Sequence, residues 1–120
     1  MTDNNDIELQ RRIRENILDS LDLWASKEKQ LDYQKSVPIA DVSAELFCSW
    51  DDFYKPYNAD FIKAFNEQER QLLTDFNREL SETADTTPNL LPYIEEFILS
   101  EDWRKVNLAA IETLNKIKSL

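Results

Sequence analysis

Three pairs of adjacent carboxylates, Asp51-Asp52, Glu95-Glu96 and Glu101-Asp102, and a single thiol, Cys48, are the side chains with chemistry to offer. Paired acids can hydrolyse glycosides or hold a divalent cation. Neighbours on a helix, however, point about a hundred degrees apart, so adjacency does not by itself make a shared site. The chain has no histidine, which removes the commonest general base and every Ser-His or Cys-His dyad. It has no glycine either, so neither a phosphate-cradling loop nor an EF-hand turn of ordinary design can be built. Cys48 has no basic residue close in sequence to lower its pKa and is expected to be a small buried residue. The chain is accordingly expected not to be an enzyme and to carry no cofactor and no metal.

What remains is binding. The stretch FCSWDDFYKPYNADF, residues 47 to 61, sets Phe47, Trp50, Phe53, Tyr54 and Tyr57 beside Asp51, Asp52 and Asp60. On a helix Phe47, Trp50 and Phe53 are three apart and form a core stripe, with Asp51 and Asp52 turned towards water. Tyr54 and Tyr57 flank Pro56 and are read as exposed. Exposed tyrosines among carboxylates suit a hot spot for a cationic protein. The candidate partner-binding residues are therefore Glu45, Asp51, Asp52, Tyr54, Tyr57 and Asp60, joined by Glu95 and Glu96.

The elements that would position them are helices. A glycine-free chain rich in helix formers lacks the residues that tight hairpins and bulges need. Ile13, Ile17, Leu21, Trp24 and Leu31 draw one stripe, which predicts a helix from about Asp6 to Lys35, stopped by Val37-Pro38. Asp41 or Ser43 caps a second helix, ended by Pro56. Asn58 opens a short turn. Asn66 caps a helix from Glu67 to about Ala84, with Leu72, Leu73, Phe76 and Leu80 on its stripe. The run ETADTTPN reads as a polar loop, and Leu90 to Leu99 as a helix with Pro92 in its first turn. Ser100 caps the last helix, whose stripe is Trp103, Val106, Ala110, Leu114 and Ile117. The expected fold is all-α: one compact, irregular bundle of about five helices over residues 1–120, with residues 1–5 a disordered tail.

The 120 residues allow one core, and 42% hydrophobic with 32% charged composition suits a folded globule. Net charge is −10, which repels nucleic acid and anionic lipid and attracts basic partners. From Glu8 to Lys35 six acids meet six bases. The excess lies in the middle: residues 41–60, 67–85 and 89–102 each carry a net −4, while the stretch from Trp103 carries +3. The single cysteine fits a reducing compartment, and no secretion signal or membrane-length stretch is visible, so a cytoplasmic monomer is expected.

The runs LDLWASKEKQLDYQKSVPIADVSAELFCSWDDFY, FNEQERQLLTDFNREL and EDWRKVNLAAIETLNK resemble small bacterial proteins encoded beside polymorphic toxins. The resemblance covers most of the chain and is to immunity proteins of the contact-dependent growth inhibition type. It implies a cytoplasmic binder that blocks the toxin domain of a neighbouring cell's effector, and it carries no fixed residue motif. An acidic chain would suit a basic nuclease toxin, whose active site or substrate surface it would cover. The alternative is a helical adaptor or regulatory module with no toxin partner.

Overall fold

The structure, a computed structural model, describes residues 4–87 and 90–120, and among these the secondary structure is helical with no strand. Seven helices are present among the described residues: α1 (Asn4–Ala25), α2 (Lys27–Ser36), α3 (Val42–Phe53), α4 (Ala59–Ala64), α5 (Glu67–Thr86), α6 (Ile94–Phe97) and α7 (Glu101–Lys118). The all-α expectation holds; the count of about five does not. None of these helices is long and apolar enough to cross a membrane.

The single long helix expected over residues 6–35 is two helices with a break at Ser26. Ser26 is extended and its hydroxyl accepts from the Lys29 amide at 3.2 Å, which starts α2 afresh. The break frees the carbonyls of Leu23 and Trp24. Buried Gln30 donates to both, at 2.9 and 3.2 Å, and Asn107 of α7 donates to Trp24 O at 2.9 Å. Both carbonyls therefore have a donor at this interior helix end, as buried backbone acceptors require. The short turn after Asn58 is a helix too, α4, with the Asn58 side chain accepting from the Asp60 and Phe61 amides.

Three further boundaries differ. Asn4 and Asn5, assigned to a tail, belong to α1, while residues 1–3 lie outside the described residues. The first five residues of ETADTTPN continue α5 to Thr86, since nothing before Pro88 breaks a helix; Pro88 and Asn89 lie outside the described residues. The helix expected over 90–99 shrinks to α6, because Pro92 precedes it instead of sitting inside its first turn. The predicted caps Asp41, Asn66 and Ser100 all act, Asn66 within a full capping box with Glu69.

The core runs between the helices as one cluster. It includes Ile17, Leu21 and Trp24 of α1, Leu46 and Trp50 of α3, Leu73, Phe76 and Leu80 of α5, and Ile94 and Phe97 of α6. All five predicted stripe residues of α7 are buried in it. Helix α7 packs along α1 and α5, α4 packs on α1, and α3 lies against α1 and α6. Each indole N–H has an acceptor: Trp24 reaches Leu46 O at 3.0 Å, Trp50 reaches Asn77 Oδ1 at 2.9 Å, and Trp103 reaches Gln30 Oε1 at 2.9 Å. Burying such rings contributes about 1.5–3 kcal/mol each only when that polar edge stays satisfied.

Candidate partner-binding surface

Helix α3 separates a dry side from a wet one. Val42, Leu46 and Trp50 recur at four-residue steps on the dry side. Glu45, Cys48 and Asp52, at steps of three and four, run along the other side, with Ala44 and Asp51 beside them. Here the expected core stripe needs correcting. Tyr54 continues the Leu46-Trp50 line by another four residues, so Tyr54 goes inward and Phe53 is left exposed. Tyr54 is half-buried, stacked on Trp50 at 5.1 Å and edge-on to Phe61 at 5.6 Å, with its hydroxyl 3.3 Å from Thr74 Oγ1. It is a packing residue with a polar tip rather than an exposed anchor.

The seam between α3 and α5 is filled at one end and open at the other. Trp50 meets Phe76 edge-on at 4.7 Å and, with Tyr54 and Thr74, closes the first end. One to two turns back, the facing residues are small: Ala44 and Cys48 on α3, Ser81 and Ala84 on α5. They leave a groove of about 400 Å³, whose apolar surface comes from Phe47, Leu80 and Leu91 and whose acids are Asp51 and Asp85; no basic residue lines it. Cys48 is exposed in this groove, contrary to expectation, because it sits on the wet side of α3. Two of the three acidic stretches of the sequence bring a carboxylate to the groove, Asp51 from α3 and Asp85 from the end of α5, while the third contributes only Leu91.

A smaller pocket of about 200 Å³ lies at the corner of α1, α3 and α4. Asp52 and Asp60 both line it, with Lys55, Ile13, Phe53 and Phe61 among its walls. Tyr57, in the connection between α3 and α4, is 96% exposed. Among the described residues, the side chains of Asp51, Asp52, Asp60, Asp85, Glu95 and Glu96 have no ion-pair partner. Three acids of α1 contrast with them: Glu8 and Glu15 pair with Arg11, and Asp22 with Lys29.

The eight predicted residues are thus spread over several places. Asp51 faces the α3–α5 groove, while Asp52 and Asp60 share the corner pocket. Glu45, half-buried on the wet side of α3, is engaged within the chain: the Tyr33 hydroxyl donates to it, and that bond holds the Tyr33 phenol above its ordinary pKa. Glu95 and Glu96 are exposed on α6, near exposed Tyr93, and line neither cavity. Sequence reasoning missed Asp85, which it placed in a loop. The run of helix-compatible residues from Leu80 to Thr86, unbroken by Gly or Pro, is the signal that puts Asp85 one turn after Ser81 on the groove wall.

One acid is committed wholly to structure. Glu69, buried, accepts from Arg14 at 3.0 and 2.6 Å, and Asn66 N donates to it at 3.0 Å. The Arg14 guanidinium holds its carboxyl below the ordinary value. Among the described residues no group of three or more His, Cys, Asp or Glu is placed to hold a metal ion. No protein family, no curated protein and no solved structure matches this chain.

Proposed function

We propose that the chain is an immunity protein that neutralises a cationic toxin domain by covering it. The observation that carries the reading is one groove with apolar surface where Asp51 and Asp85, from two acidic stretches of the sequence, stand without ion-pair partners among the described residues and no base joins the lining. A nuclease must present positive charge to hold a phosphate backbone, so an acidic surface speeds its capture. Steering alone gives rate rather than lifetime; apolar contact in the groove and at Tyr57 would supply the slow dissociation. The resemblance to contact-dependent growth inhibition immunity proteins points the same way, and a cytoplasmic site of action follows from it.

The test is co-expression. The chain is produced together with the toxin domain encoded next to it, and growth is scored with and without the immunity candidate. Rescue of growth, with a nanomolar complex by calorimetry, is the expected result. A tight complex with a protein that is not a toxin would replace the reading with that of an adaptor module.

A further inference from the structure

We infer that the α3–α5 groove receives an amphipathic helix of the partner, laid with its apolar side against Phe47, Leu80 and Leu91 and its lysines or arginines over Asp51 and Asp85; this rests on the function just proposed. The first argument is packing. The same seam is closed by Trp50, Tyr54 and Phe76 at one end, whereas Ala44, Cys48, Ser81 and Ala84 leave the other end without side chains to fill it. Two helices held apart and lined by small residues form a seat for side chains of a third. From Ala44 to Asp51 the wall spans about 10 Å at 1.5 Å per residue, so roughly two turns of a bound helix would lie on it.

The second argument is charge. Asp51 and Asp85 have no ion-pair partner among the described residues, and no base lines the groove. An acidic or neutral segment would leave both unanswered, and a nucleic-acid strand would be repelled. Strand addition needs an open sheet edge, and the described residues contain no strand. Among recognition modes a basic amphipathic helix is the one that uses both the shape and the sign of the groove.

The experiment uses a leucine–lysine peptide of about 15 residues with its leucines on one helical face. Controls are a scrambled peptide of the same composition and one with glutamate for lysine. The full chain, isotopically labelled, is titrated with each while the amide resonances of Ala44, Cys48, Ser81 and Ala84 are followed. The patterned peptide is expected to shift all four saturably, and the D51N/D85N variant to bind it about tenfold more weakly. Because Cys48 is the only cysteine, a bulky maleimide on it fills the groove and should abolish binding without any substitution. Equal binding of the scrambled peptide, shifts elsewhere on the molecule, or binding undiminished by the thiol block would overturn the inference. The cognate toxin domain separates this from the wider reading. If it binds but leaves these four amides unmoved, the groove is wrong and the immunity function stands. If the peptide seats and no toxin is bound, the groove stands and the immunity function fails.

Discussion

Arg14 and Glu69, 55 positions apart, meet as a two-pronged ion pair that ties α1 to the start of α5. The guanidinium also lies over the Phe65 ring, 5.2 Å from its centroid, so one side chain joins α1 to both flanks of the α4–α5 connection. Glu69 at the same time completes the capping box of α5.

Arg14→Met should lower stability by about 1–2 kcal/mol, less than a fully buried pair would give because the Arg14 side chain is 37% exposed. The pH dependence has a definite sign. Arg14 depresses the Glu69 pKa below its ordinary 4.5, so the stabilisation is complete above that value and is lost as pH falls through the folded pKa. Urea midpoints of parent and variant should differ most at neutral pH and converge in acid. A gap that widened on acidification would contradict the pairing.

Gln30→Leu should cost about 2–4 kcal/mol despite its apolar gain. It leaves the Trp103 N–H without its acceptor and the Leu23 carbonyl without its side-chain donor at the α1–α2 break. The denaturation midpoint should fall with little change in the slope against urea.

Tyr54 and Tyr57, three residues apart, should behave oppositely. Tyr54→Ala removes a ring stacked on Trp50 and is expected to cost about 2–4 kcal/mol. Tyr57→Ala, at a 96% exposed position, should change stability by less than about 0.5 kcal/mol. Under the proposed function it weakens capture of the toxin instead. Thermal melts and calorimetry on the same pair of variants check both halves.

Asp51→Lys and Asp52→Lys together should slow association with a cationic partner about tenfold at low salt while leaving the fold intact, since both residues are exposed. The difference should shrink as salt is raised. The single variants then say which cavity is used, because Asp51 faces the groove and Asp52 the corner pocket. Identical stopped-flow rates for parent and double variant would place the contact elsewhere.

Local signals in the sequence translated well where the decisive contacts are local. Ser100 caps α7 and its five-residue stripe is wholly buried, because cap and periodicity both lie within that one segment. The α1–α2 break was not legible, since one of the donors that makes it tolerable, Asn107, comes from 83 positions away. Phe53 and Tyr54 exchanged their expected places because steps of three and of four are equally good on paper, and only the position of Phe61 and Thr74 chooses between them. Of the candidate surface, the acids of residues 51–60 were visible as a cluster. Their division between two cavities, and the arrival of Asp85, depend on how α5 lies against α3.

Four bases, Arg104, Lys105, Lys116 and Lys118, sit on α7, which packs on α1 and α5, whereas the groove between α3 and the end of α5 is lined by acids and no base. Charge distributed this unevenly gives the molecule a permanent electric moment as well as a net charge. In the field of a cationic body it would experience a torque before it touched anything, turning the α3 side forward, so that a larger share of first collisions would arrive already oriented for docking.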